Sequence, residues 1–138
     1  MPARDAIHDA VRNALIKDGW TITNDPCLLK HGELIVYPDL GVDRSLAVER
    51  DHERLIVEIK SFRDRSSVFQ LEHAIGQYEV YRILLNKLEP ESNLYLAVTN
   101  DVYKRVFQKK GVDLIVETLS IRILTIDPNL EEITQWIR

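Results

Sequence analysis

The chain has 138 residues, with 18 Lys and Arg against 22 Asp and Glu, for a formal charge of −4. Domains usually span about 100–200 residues, so one domain over 1–138 is expected, and 45% apolar content excludes a mainly disordered chain. The acidic balance argues against holding nucleic acid by bulk charge, but leaves room for a local basic groove or a carboxylate site for metal.

Residues 3–18 read as a helix. Ile7, Ala10, Val11, Ala14 and Leu15 recur at helical spacing and form one apolar stripe, and Gly19 supplies a stop. Residues 20–23 alternate like a strand and meet the turn signal Asn24-Asp25-Pro26. Residues 34–37 read as a short strand closed by Pro38-Asp39-Leu40-Gly41, and residues 46–48 as another. The clearest strand covers 54–62. A long helix follows over 66–88, with Leu71, Ala74, Ile75, Tyr78, Tyr81, Leu84, Leu85 and Leu88 on its buried side. Residues 94–98 are apolar on both faces, the pattern of a central strand. Two short helices over 100–108 and 111–118 divide at Gly111. Strands at 121–126 and 132–137 are joined by the turn Asp127-Pro128-Asn129. This order predicts an α/β fold with a mixed sheet and helices on both faces.

No apolar run reaches the ~20 residues of a membrane helix. The first residues lack an apolar leader core, so a cytoplasmic protein without membrane association is expected. Cys27 is the single cysteine and has no intramolecular disulfide partner. His31, His52 and His73 are scattered without zinc-ligand spacing. No phosphate loop, dinucleotide fingerprint or serine-hydrolase elbow is present.

The chemistry centres on Leu55-Ile56-Val57-Glu58-Ile59-Lys60. Side chains alternate across a strand, so Glu58 and Lys60 share one face, roughly 6.6 Å apart along the chain. Charges at the end of an apolar strand are costly unless paired or bound to metal. Alone, Glu-x-Lys is common by chance and reads as an exposed weak ion pair. Asp39 adds weight: if the two strands form a hairpin, Asp39 and Glu58 meet at the same end of it. Two carboxylates beside a lysine suit a hard cation such as Mg²⁺ (or Mn²⁺) and a water. Gln77 and Tyr81 are four apart on the next helix and share a face that can reach the same pocket. Lys60, Arg63 and Arg65 follow the acids directly, and Lys104, Arg105, Lys109 and Lys110 form a second basic group.

In this order the residues resemble the PD-(D/E)XK nuclease superfamily. Pro38-Asp39 stands for its first motif, Glu58-Ile59-Lys60 for its second, and Gln77 with Tyr81 for its Q-x-x-x-Y element. A more specific likeness runs nearly end to end. Segments 2–26, 39–44, 57–62, 71–82, 94–98 and 133–137 resemble the XisH family, cyanobacterial factors that control excision of a DNA element from the nitrogen-fixation region. The resemblance implies a restriction-endonuclease-like αβα sandwich with a central mixed sheet. It also implies a part in DNA rearrangement and a partner resembling XisI. Asp39, Glu58 and the Ile59 carbonyl would hold Mg²⁺, with Lys60 and Gln77 completing the catalytic set and Tyr81 and His8 as accessories.

One departure concerns the first helix, where many such nucleases carry a metal-binding glutamate. Here it offers only Asp5, His8 and Asp9. His8 either points into the pocket or caps the core edge. Three functions therefore compete: a metal-dependent DNA endonuclease, a non-catalytic regulator that binds XisI or DNA, and an oligomeric module. In the last, the hairpin over 121–137, with Trp136, pairs across a dimer or larger homo-oligomer.

Overall fold

The computed structural model describes residues 6–45, 52–63 and 67–138. Asp5, Arg65 and the strand expected at 46–48 lie outside these residues. The first helix, α1, spans His8–Lys17 and buries Val11, Ala14 and Leu15, as its stripe requires. The Asp18 N–H bonds back to the Ala14 carbonyl, and Gly19 takes φ +95°, a conformation costly for any residue with a Cβ. Strand β1 (Thr21–Asn24) follows.

Two elements depart from the sequence pattern. Residues Leu29–His31 (β2) and Leu34–Val36 (β3) pair as a separate antiparallel hairpin around Gly32, rather than one strand after a turn. Leu40 and Gly41, expected to close a strand, instead open strand β4, Leu40–Ser45. Asp39 therefore sits at the start of a strand, not at the end of one. Gly41 reads as a turn residue in the sequence, but here it serves close approach. A Cβ on it would lie 2.7 Å from Asn24 Oδ1 and 3.0 Å from Arg54 Nη2.

The remaining elements are β5 (His52–Ile59), α2 (Ser67–Leu88), β6 (Asn93–Thr99), α3 (Asn100–Val102), a π-helical turn over Tyr103–Phe107, α4 (Val112–Leu119), β7 (Ile123–Asp127) and β8 (Glu132–Ile137). Among the described residues, six strands form one sheet in the order β1-β4-β5-β6-β7-β8. The pairs β5/β6 and β6/β7 are parallel, while the others are antiparallel. The parallel pairs need crossovers, which α2 and the α3–α4 segment supply.

Each face of the sheet has its own core. Leu55, Val57 and Ile59 pack with Val11, Leu15, Leu40, Val42 and Tyr95 beneath α1. Ile56 packs on the opposite face with Tyr78, Leu96, Val98 and Phe107 beneath α2 and the π turn. The β5 alternation read from the sequence is thus the actual division between the two cores. The result is an αβα sandwich with a central mixed sheet. Leu88, expected on the buried side of α2, is exposed near the end of that helix. No helix among the described residues is long and apolar enough to cross a membrane.

Candidate functional site

Antiparallel pairing of β4 with β5 sets Leu40 opposite Val57. The residue before β4, Asp39, therefore lies beside the carboxyl end of β5, where Glu58 and Lys60 are. Asp39 Oδ2 accepts the Ile59 backbone N–H at 2.8 Å. Lys60 Nζ lies 3.3 Å from Glu58 Oε2, and the Lys60 N–H bonds the Ala97 carbonyl at 3.0 Å, tying the end of β5 to β6. Glu58 is only 4% exposed. The structure brings Asp39, Glu58 and Lys60 together as the spacing suggests.

Burial governs the electrostatics. It pushes the Glu58 carboxyl up to about 8, with the negative charge of Asp39 adding to the rise and Lys60 opposing it. Burial also raises Asp39, against the pull of the Ile59 N–H, Glu58, His8 and Lys60. Two acids sharing one desolvated space do not both ionise readily, so the pair holds a proton near neutrality. Glu58 Oε1 is buried with no hydrogen-bond partner among the described residues.

Gln77 and Tyr81 face one another on α2. Gln77 Nε2 donates to the Tyr81 hydroxyl at 3.4 Å, and Gln77 Oε1 is a second buried, unpartnered oxygen. The Tyr81 hydroxyl is made harder to ionise by burial and then by the charges of Glu58 and Asp39, which puts it in the field of the acid pair. Gln77 thus contacts Tyr81, the α2 side chain that feels the charge of the acids.

His8 combines both of its expected placements. It is buried, and its Nε2 pairs with Asp25 Oδ1 at 2.8 Å, while Nδ1 lies 3.9 Å from Asp39 Oδ1. Arg12 donates to Asp25 Oδ2 at 2.9 Å. A chain of contacts thus runs from Arg12 through Asp25 and His8 toward the first acid. Asp25 entered the sequence reading only as part of a turn. Its partners come from α1, more than ten residues away, and no local pattern announces them.

A cavity of about 530 Å³ opens beside Lys60, lined also by Phe62, Arg63, Phe69, Gln70 and His73. Phe69 and Gln70 have no part in the sequence pattern singled out above, and His73 enters it only as one of three histidines without zinc-ligand spacing. Their signal was weak: an apolar residue at the first turn of a helix whose buried stripe begins only at Leu71.

The chemistry of the donor set fits a hard divalent cation. Asp39, Glu58 and the Ile59 carbonyl offer oxygens only, and Mg²⁺ usually takes one or two carboxylates and keeps several waters. Among the described residues, no group of three or more His, Cys, Asp and Glu side chains gathers in the manner of a metal site.

Fold and site together define a mixed α/β sandwich with two acids and a lysine gathered at the carboxyl end of the first of its parallel strands. The chain belongs to the XisH family, whose model, described as XisH protein, matches residues 1–134. The crystal structure of an XisH family protein from Nostoc punctiforme PCC 73102 is 36% identical, covers 97% of this chain and all of its own, and superposes with a TM-score of 0.87. An fdxN element excision controlling factor protein from Anabaena variabilis is also 36% identical, covering 98% of this chain and all of its own, with a TM-score of 0.87. Comparison with curated proteins gives no match.

Proposed function

We propose that this protein acts in programmed excision of a DNA element as a Mg²⁺-dependent phosphodiester-cleaving endonuclease of PD-(D/E)XK type, formed by residues 1–138 as one nuclease-like domain. The observation that carries this reading is Asp39 pinned by the Ile59 N–H beside the buried Glu58, with Lys60 3.3 Å from Glu58. The excision role rests on family membership and on the printed name of the Anabaena variabilis relative.

Asp39, Glu58 and the Ile59 carbonyl would hold Mg²⁺ (or Mn²⁺). When bound, the ion supplies Lewis-acid stabilisation of charge on phosphorus and lowers the pKa of water. Lys60 holds Glu58 in place through one donor and has others with which to orient the attacking water. Gln77 uses its unpartnered oxygen, steadied through Tyr81, to order the pocket above Glu58. Lys60, Arg63 and Arg105 carry positive charge to the mouth of the site, where a phosphate backbone lies. Arg105 Nη2 reaches the Phe62 carbonyl at 3.3 Å, which brings the second basic group to the first. The setting is the cytoplasm, with DNA and an XisI-like protein as partners and a homo-oligomer as the working form.

The test is nicking of supercoiled plasmid with Mg²⁺ by the wild type and by Lys60→Ala. The variant should lose nearly all activity, and equal nicking by both refutes the assignment.

A second reading is a non-catalytic regulator that keeps the fold to bind its partner. The observation in its favour is that His8 Nε2 on α1 is taken by Asp25, which Arg12 also binds, so that nitrogen is not open to an ion. Calorimetry separates the two readings. Absence of Mg²⁺ binding, together with tight association with an XisI-like protein, favours the regulator.

A further inference from the structure

The cavity beside Lys60 is not needed to hold the acids or the proposed ion, and its lining has a different character. On one side the chain leaves β5 through Lys60, Phe62 and Arg63, and on the other stand Phe69, Gln70 and His73 from the first turns of α2. Their numbering places these three on one helical face. Phe69 is 69% exposed, so the face of its ring is open beside the cavity. Gln70 Oε1 is buried without a hydrogen-bond partner among the described residues, so a buried acceptor waits beside an open ring.

The exit from β5 is built to aim this lining. Phe62 has φ +52°, the left-handed region that a bulky residue occupies only under constraint. Edge-on packing against Phe107, with centroids 5.4 Å apart, and the Arg105 bond to its carbonyl hold it there. The turn carries the chain from Lys60 at the acid pair to the exposed Arg63 at the cavity.

We infer that this cavity is a subsite for one unpaired nucleotide of a DNA single strand, its base laid against Phe69 and its phosphate met by Arg63 and Lys60. The inference rests on the reading of the acid pair as a phosphodiester site, whose substrate class it names. A paired, stacked base shows a protein only its edges, so the face of a phenylalanine ring meets a base only where the stack is opened, at least cost in a single strand. The volume lies within the ~300–1,000 Å³ typical of small-ligand pockets, enough for one nucleotide but not for a base pair with its backbones. Gln70 supplies an acceptor for the base edge, and His73 adds to the lining. The substrate that fits is a flap, a gap or a melted end rather than intact duplex.

Fluorescence anisotropy with labelled oligodeoxythymidylate and with a matched duplex, both in chelator, tests this without any cleavage. The wild type should prefer the single strand. Phe69→Ala should weaken single-strand binding about tenfold, the loss of one base stack, and leave duplex binding unchanged. Phe69→Tyr should keep the wild-type affinity. Arg63→Ala should reduce the slope of log affinity against log salt by about 0.7, one phosphate contact on a single strand. Phe69 is mostly exposed, so its variants keep the fold, and circular dichroism verifies that. No preference for the single strand, or equal single-strand affinity in wild type and Phe69→Ala, overturns the inference. Because no metal is present, these outcomes are independent of nicking. Phe69-dependent binding without Mg²⁺-dependent cleavage sinks the nuclease reading alone, and cleavage with Phe69-indifferent binding sinks the subsite alone.

Discussion

Asp39 Oδ2 accepts the Ile59 backbone N–H at 2.8 Å across the seam between β4 and β5. The first acid is therefore held by main chain, and it stays seated when the second acid is changed. This separates the contributions of Asp39 and Glu58 in variants.

Stability should fall as pH rises. Burial first, and Asp39 next, push Glu58 up to about 8 from an ordinary value of 4.5. A folded-state pKa raised in this way means the folded chain binds the proton more tightly than the unfolded one. The stabilisation is complete below the ordinary glutamate range and is lost as pH climbs from there through about 8. Asp39 is raised too and adds in the same direction. Urea denaturation across this span should show a falling midpoint in wild type and a flatter profile in Glu58→Gln. Identical pH profiles for the two proteins contradict the buried-pair account.

Divalent cations should act in the opposite sense. Protons and Mg²⁺ compete for the same oxygens, so thermal stabilisation by Mg²⁺ should be larger at the alkaline end of that window than at the acid end. Asp39→Asn should abolish most of it. Thermal melts with and without Mg²⁺ measure both effects, and an Asp39→Asn protein that still gains stability places the ion elsewhere.

Removing Asp25 strands two partners at once. His8 loses its 2.8 Å contact and Arg12 its 2.9 Å one. Asp25→Ala should cost about 1–3 kcal/mol, the usual penalty for leaving a buried polar group unsatisfied. Asp25→Asn should recover part of this loss, because it keeps one acceptor. Chemical denaturation reads the difference, and an Asp25→Ala variant as stable as wild type removes the network from the account.

Tyr78 ties α2 to the sheet. Its hydroxyl donates to the Leu94 carbonyl at 3.0 Å and accepts the Arg122 N–H at 3.1 Å. Tyr78→Phe keeps the ring in a fully buried place and should destabilise by about 1–3 kcal/mol, with nicking unaltered. A drop in nicking without a drop in stability would assign Tyr78 to the chemistry instead.

Local periodicity carried most of the elements. The stripe on α1, the alternation in β5, the doubly apolar β6 and the turn at Asp127 all lie where their patterns put them. The failures cluster between residues 29 and 45. There Gly32, Pro38 and Gly41 read as turn signals, yet Gly41 is buried in a strand because Asn24 and Arg54 crowd its Cα. A glycine needed for close approach looks the same in sequence as a glycine needed for a turn.

Residue order alone dictates that Glu58 and Lys60 share a face, because the two-residue period of a strand leaves no alternative. It also determined which side chains of β5 divide the two cores. The meeting of Asp39 with Glu58 came instead from long-range strand pairing, since register depends on a partner strand that the local pattern concealed. Only the tertiary structure could set the protonation of that pair and open the cavity at Phe69, because desolvation and concavity come from groups distant along the chain.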